Sequence, residues 1–504
     1  TQSRSSAASD VYKRQECPTW SGTHSLVSKR SRYLTCKKIG FLPFIQNPIT
    51  EIETVYTCLL NFKKIVSHLK QKVLPVFCDE GVYHLTAKIY FEMPELFDDI
   101  FIMLGSFHTA KTALKCAGKF VKGSGTEDAF IESGIYGVKS VETVLGGTHY
   151  YRSFNGLLML AEAIERLKLD AFLNSTDQTL YEDAIERLKS LQQSLCELNA
   201  KDSHIKLENL IKSKQLTPLL EAVEQFTQEC GSQSEQCKFW NEFLRIMDII
   251  KNLVRADREG DFLLHMDAIQ NLCPVFMGCG SLNYQRYATF YLEQLKSLKT
   301  KMPELYAAFM KGDFVVKRKK GSFNAVGGDM ALEQSIMRSA KSTGGIIGKT
   351  RSLEYVSEWA LVSHEVLSIA NTFRTITRAD KGGNNEMMVH HQLKKSTISQ
   401  INGSVAKLAS FMGDRSNPFQ INPNDTKLKN FVTEVIAEES IANTRTNFMT
   451  TTTKAFKEYH KQVYIDQTVS LFDRIPRATL DPIDFQKKEK IGEADVKSLS
   501  LIHI

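Results

Sequence analysis

The chain has no apolar run approaching the ~18–20 residues that a membrane-spanning helix needs, so the sequence predicts no membrane partner. It also lacks a nucleotide P-loop, a G-x-G-x-x-G turn, a G-x-S-x-G elbow and an H-E-x-x-H helix. These absences remove the commonest classes of hydrolase, kinase and dehydrogenase. Any catalytic chemistry must therefore come from residues outside these motifs.

Cysteine is scattered rather than dense, with ten residues in a chain of 504. A disulfide framework is typical of short secreted domains, so this usage predicts reduced thiols in an intracellular protein. The pairs Cys230/Cys237 and Cys273/Cys279 lack C-x-x-C spacing and have no paired histidines nearby, which argues against a structural zinc site.

The charge balance is mildly basic, with 64 Lys and Arg against 57 Asp and Glu. A net charge of +7 is compatible with a nucleic-acid partner without requiring one. One local cluster, Lys317-Arg318-Lys319-Lys320, follows the strand-like segment 313–316. It is a candidate for phosphate contact or nuclear import, and a solvated loop of charges explains it equally well.

Both ends of the chain are set aside from the fold prediction. Residues 1–15 and 498–504 resemble translated adapter sequence from assembled transcripts, and a disordered Ser-rich tail is the alternative for the first segment. Between them the pattern predicts four regions: an α/β core over 16–150, a helical insertion over 151–310, a return to the core over 311–380, and a helical C-terminal region over 381–497. The predicted fold is an α/β core interrupted by a large all-α insertion, predominantly helical overall.

Two predicted strands end on side chains that carry chemistry. VLPVFC (73–78) runs into Asp79, and DIFIML (99–104) runs into Gly105-Ser106-Phe107-His108, with a helical pattern after each. Open α/β sheets place functional side chains at the carboxyl ends of their strands, so we expect Asp79 and His108 near one another. A carboxylate held there suits a divalent cation, and an imidazole suits metal binding or proton transfer. Asp79 as a simple helix cap and His108 as a structural histidine remain open alternatives.

A second pair of carboxylates occurs much later in the chain. Asp329 and Glu333 are four residues apart on a predicted helix that follows Gly327-Gly328, so they share a face. The alternative is that Asp329 stabilises the first turn of its helix while Glu333 is solvated.

Many segments of residues 36–475 resemble an uncharacterised protein family associated with mobile elements in animal and fungal genomes. The resemblance is carried by VFCDEG (76–81), IMLGSFHTAK (102–111), IESGIYG (131–137), GGTHYYRS (146–153), NYQRYATFYLEQL (283–295), FNAVGGDMALEQ (323–334) and GGIIGKT (344–350). The layout is in turn similar to transposases with a ribonuclease-H-like core, in which an Asp, a His and a Glu follow successive core elements and a helical insertion precedes the Glu.

This resemblance implies catalytic roles for Asp79, His108 and Glu333, and Mg²⁺ or Mn²⁺ held by Asp79, Glu333 and Asp329. It also implies DNA as partner, bound through Lys317, Arg318, Lys319 and Lys320, a nuclear location and self-assembly into a homo-oligomer. One departure stands out, since nothing convincing in residues 16–72 supplies the first Asp of such a site. A catalytically inactive, mobile-element-derived DNA-binding or assembly protein is therefore the alternative prediction.

Overall fold

The computed structural model describes residues 17–28, 33–37, 39–40, 45, 47–341, 345–346, 352–376 and 391–473. This part of the chain is predominantly helical, and its one sheet has two strands. None of its helices is both long enough and apolar enough to cross a membrane.

The elements are numbered along the chain. They are α1 (Trp20–Val27), α2 (Ile52–His68), β1 (Leu74–Cys78), α3 (Glu80–Glu92), β2 (Ile100–Leu104), α4 (Ser106–Val121), α5 (Thr126–Glu132), α6 (Val138–Leu145), α7 (Tyr150–Ser175), α8 (Glu182–Cys196), α9 (Ala200–Ser213), α10 (Thr217–Gln233), α11 (Glu235–Glu259), α12 (Phe262–Gly278), α13 (Leu282–Lys301), α14 (Pro303–Met310), α15 (Gly328–Glu333), α16 (Ile336–Ala340), α17 (Leu353–Ile376), α18 (Lys395–Ser416), α19 (Glu439–Thr446) and α20 (Phe448–His460).

The sheet is a parallel pair joined by the crossover helix α3. Its register runs from Leu74↔Ile100 to Cys78↔Leu104, and the N–H of Gly105 extends the ladder to the carbonyl of Cys78 at 2.8 Å. All five residues of β2 are buried, whereas most of β1 is only half-buried. Pro75 lacks an N–H donor and is accommodated because β1 is an edge strand.

Helix α4 carries the site-bearing end of β2 into the helical block. One face of α4 is apolar and fully buried, including Ala113, Leu114 and Phe120. Phe120 stacks on Phe239 of α11 with ring centroids 4.9 Å apart. Because α4 also packs on α7, its first turn is fixed by contacts along its whole length.

The predicted strands at 73–78 and 99–104 and the helices after them are confirmed, as is the helical block. The α/β part is nevertheless smaller than predicted. Residues 52–68, ahead of β1, form a helix with an apolar stripe, and residues 313–316 contribute only one isolated antiparallel bridge, Val316↔Val326. The described residues therefore contain a two-stranded parallel sheet and no larger ribonuclease-H-like sheet. The boundary predicted near 381 and both end segments lie outside them.

The expectation of reduced thiols is wrong for one pair. Cys17 and Cys196 form a disulfide that links the segment before α1 to the end of α8, 179 residues apart. The other eight cysteines are free, and six of them are buried. Spacing along the chain carries no information on a pairing made by tertiary contact, which is why the sequence does not reveal it.

Candidate functional site at the carboxyl edge of the sheet

The two strands end at the same edge of the sheet, as parallel strands must, and each is followed directly by a helix. Asp79 comes after β1 and is exposed. Its carboxylate accepts a hydrogen bond from the N–H of Val82 at 3.1 Å and caps α3. The capping role considered from the sequence is therefore present, and it leaves the other carboxylate oxygen directed to solvent or to a ligand.

The end of β2 is capped from a distant part of the chain. Helix α4 has no side-chain cap of its own, because Gly105 stands at its N-cap. The buried carboxylate of Asp329, in α15, instead accepts the N–H of Phe107 at 3.3 Å and the N–H of His108 at 3.1 Å. A carboxylate at a helix N-terminus satisfies free N–H groups and interacts favourably with the helix dipole.

The same carboxylate orients the imidazole of His108. Its Oδ2 lies 3.1 Å from Nδ1 of His108. Since an ionised carboxylate can only accept, Nδ1 carries the proton and Nε2 is left as the acceptor of the neutral ring. The His108 side chain is 29% exposed and that of Asp329 is 6% exposed, so the pair has a buried orienting end and an accessible chemical end.

Two glycines allow this contact. A Cβ on Gly105 would overlap Oδ2 of Asp329, and a Cβ on Gly327 would overlap Oγ of Ser106. Gly328 likewise packs on the ring of Phe77 in β1, where a Cβ would approach to 2.7 Å. Gly327 and Gly328, at the start of α15, thus allow this short helix to pack against the ends of both strands.

A second, half-buried carboxylate, which sequence reasoning missed, contacts the first turn of α4. Oγ of Ser106 donates to Oδ2 of Asp257 at 2.5 Å. The other oxygen of Asp257 lies 3.6 Å from Nδ1 of His265, whose Nε2 is 3.2 Å from the hydroxyl of Tyr291. This network fixes the base of the site. Asp257 lies in the last turn of the long helix α11, where no local signal marks it.

An open cleft of about 370 Å³ lies over the carboxyl edge. It is lined by Asp79, Glu80, Gly81, His108, Lys111, Thr112, Lys115, Gly146, Gly147, Thr148 and Tyr284. Burial raises the pKa of Glu80 and, more strongly, that of the Tyr284 hydroxyl. Asp79 and His108 therefore face one cleft, as expected from the strand ends.

Neither Glu333 nor the basic cluster lines this cleft. Glu333, at the end of α15, forms an ion pair with Lys341 at 2.7 Å, and neither it nor Asp329 lines the cleft. Arg318 donates to Gln334, which in turn donates to the hydroxyl of Tyr151 at 2.7 Å.

The four members of the basic cluster differ in exposure. Lys317 is buried, and burial lowers its pKa, whereas Arg318, Lys319 and Lys320 are exposed. Only the last three present their charge at the surface. The structure thus brings Asp79, His108 and Asp329 to one edge and places Glu333 on the adjoining helix.

Fit to a metal ion is limited in this arrangement. Over the part of the chain that the structure describes, no three or more His, Cys, Asp or Glu side chains converge to hold one. The buried carboxylate of Asp329 already accepts hydrogen bonds from the first turn of α4, and the carboxylate of Glu333 already forms an ion pair with Lys341. The carboxyl edge of the sheet therefore presents an oriented imidazole, His108, and one exposed carboxylate, Asp79. These two side chains alone do not form a preformed metal centre.

A family model described as a domain of unknown function, DUF8702, matches residues 19–493. No curated protein and no solved structure matches the chain. The family match covers nearly the whole chain and carries no activity with it.

Proposed function

The chain belongs to the DUF8702 family, and we propose that it cleaves phosphodiester bonds in DNA at the carboxyl edge of β1 and β2. The observation that carries the proposal is the contact of His108 with Asp329, 221 residues apart, which orients an imidazole in the cleft that Asp79 also lines. A long helical block separates these residues in sequence, and the fold returns the chain to the strand ends.

His108 supplies the proton acceptor in this proposal. Cleavage of a phosphodiester by water requires removal of a proton from the nucleophile, and an imidazole with a fixed tautomer suits this role. Asp329 holds Nδ1–H, so Nε2 accepts the proton, and the resulting imidazolium lies against a buried carboxylate. Asp79 is available to position the attacking water from the end of the neighbouring strand β1.

Mg²⁺ or Mn²⁺ remains the proposed cofactor, with Asp79, Asp329 and Glu333 as candidate ligands. The support is the residue type, since carboxylate oxygens suit both ions, and the position of all three at or beside one edge. Because Asp329 and Glu333 already have partners, we assign no catalytic step to the ion. Its place in this proposal is decided by the metal dependence of cleavage.

The wider proposal is a transposase-type protein of mobile-element origin, with a ribonuclease-H-like core, strand joining after cleavage, and action in the nucleus as a homo-oligomer. Its support is the order of elements: β1 with Asp79, β2 with His108, a helical block from α7 to α14, and then α15 with Glu333. The exposed residues Arg318, Lys319 and Lys320 beside α15 are the proposed contacts to DNA phosphates.

A second candidate function is a DNA-binding or assembly protein without catalysis. The observation that favours it is the engagement of Glu333 with Lys341 and of Asp329 with α4. In this alternative the acidic residues hold the fold together and the basic residues bind DNA.

The two candidates are separated by a cleavage assay on labelled DNA with Mg²⁺, Mn²⁺ or EDTA. Wild-type protein, Asp79→Asn and Glu333→Gln are compared with Asp177→Asn, which removes another exposed carboxylate cap far from the edge. The cleavage proposal predicts activity that Asp79→Asn reduces at least about 100-fold and that Asp177→Asn leaves unchanged. DNA binding with no cleavage under any metal condition would support the second candidate instead.

A further inference from the structure

We propose that Lys111 and Lys115, which follow His108 on α4, form a phosphate-binding subsite in the cleft that takes a backbone phosphate of DNA. The inference rests on the proposed function for the identity of the polymer. It assigns a DNA-contacting role to residues outside the basic cluster at 317–320.

The two lysines lie on the face of α4 that lines the cleft. Lys111 and Lys115 are four residues apart, and Lys111 follows His108 by three, so all three side chains share one face of the helix. All three line the same cleft. Two like charges at this spacing repel each other and destabilise a helix, which an anion between them would reverse.

The charges near Lys111 and Lys115 also favour binding of an anion. Over the described residues, neither Lys111 nor Lys115 forms an ion pair, although Lys111 is half-buried. The acidic residues of the cleft are Asp79 and Glu80 on the opposite wall, and burial raises the pKa of Glu80 and so disfavours its charged form. The α4 wall therefore carries uncompensated positive charge.

The wall of the cleft next to the two lysines is formed by Gly146, Gly147 and Thr148. Gly147 adopts a left-handed φ of +68°, and a Cβ there would lie 2.9 Å from Cβ of Lys115 and 3.1 Å from the carbonyl oxygen of Lys111. The Gly146–Thr148 segment thus packs closely against α4 and fixes the wall of the cleft beside the two lysines.

A long helix, α7, begins shortly after this segment of the cleft wall. Helix α7 has 26 residues, begins two residues after Thr148, and has no side-chain cap at its N-terminus. The partial positive charge of a helix N-terminus attracts anions and adds to the charge of the two lysines. Contacts of this kind read phosphate rather than bases, so binding should depend little on DNA sequence.

The test is the salt dependence of single-stranded DNA binding, followed by fluorescence anisotropy with a labelled oligonucleotide. Lys111→Gln/Lys115→Gln is compared with wild type and with Lys454→Gln/Lys457→Gln, which removes two exposed lysines from one face of α20. We expect the slope of log affinity against log salt to fall by about 1–2 in the first variant and to stay unchanged in the control. Thermal unfolding of both variants checks that the fold is kept.

The inference is overturned if wild-type protein does not bind DNA, or if the two double variants behave alike. Its failure is distinct from failure of the proposed cleavage. Loss of binding in Lys111→Gln/Lys115→Gln without any wild-type cleavage keeps the subsite and removes the nuclease. Cleavage that persists unchanged in that variant keeps the nuclease and removes the subsite.

Discussion

Asp329 accepts the main-chain N–H of His108 at 3.1 Å and lies the same distance from the Nδ1 of that residue. One carboxylate thus caps a helix and orients an imidazole that faces an open cleft. Structural and chemical roles meet in this side chain, so its removal should affect stability and activity together.

Asp329→Ala should lower the free energy of unfolding by about 2–4 kcal/mol. It leaves the N–H groups of Phe107 and His108 without an acceptor, and each unsatisfied buried group costs about 1–3 kcal/mol. Asp177→Ala removes an exposed cap and should lower stability much less. Calorimetric unfolding of both variants measures the difference, and equal losses would show that the Asp329 contact does not form.

Gly105→Ala should destabilise the protein by about 1–3 kcal/mol, because the added Cβ overlaps the Asp329 carboxylate and must displace it. The matched control is Gly81→Ala in the first turn of α3, where a Cβ meets nothing within 4 Å. Ala is the better helix former there by about 1 kcal/mol, so this control should be neutral or stabilising. Thermal midpoints that fall equally in the two variants would contradict the close approach of α15 to β2.

Stability should fall with acidification below about pH 6.5 through His24. Burial, then the nearby Arg255, Lys251 and Arg258, lower its pKa to about 4. Glu259 would oppose this shift, but its contact with His24 is long at 3.9 Å and its other oxygen binds Arg255 at 3.2 Å.

The direction follows from proton linkage. Between pH 6.5 and 4 the unfolded state binds the proton at His24 more readily than the folded state, so the contribution is complete above the unfolded pKa and is lost as the pH falls. The total is about 3 kcal/mol. His24→Gln should flatten the fall in thermal midpoint over this range, with the exposed His68→Gln as control. An acid profile of His24→Gln identical to that of wild type would refute this assignment.

Reduction of the Cys17–Cys196 disulfide should lower stability by up to roughly 5 kcal/mol, the chain-entropy value for so long a loop. Cys17→Ser cannot form the disulfide, so its thermal midpoint should be low with or without reductant. The thermal midpoint of wild type should fall only when reductant is added. Titration of the denatured, unreduced protein should count eight thiols. A count of ten, or no response of wild type to reductant, would exclude the bond.

The strands around Asp79 and His108 were predictable because short apolar runs followed by helical periodicity are local signals. The meeting of Asp79 and His108 in one cleft followed from the rule for parallel strands. The contacts of Asp329 and Asp257 were not predictable, because each depends on long-range packing that no local pattern encodes. Within the described residues, the extended segment at 313–316 pairs only through one isolated β-bridge, so it does not add a strand to the sheet.

The most direct test of the proposed catalytic edge is the rate of DNA cleavage by His108→Gln, with DNA affinity measured on the same protein. Glutamine can still donate to Asp329 but cannot serve as a general base. The account predicts a rate at least about 100-fold lower, with affinity largely retained. Cleavage at the wild-type rate would show that His108 and Asp329 form a structural cap and that the chemistry lies elsewhere.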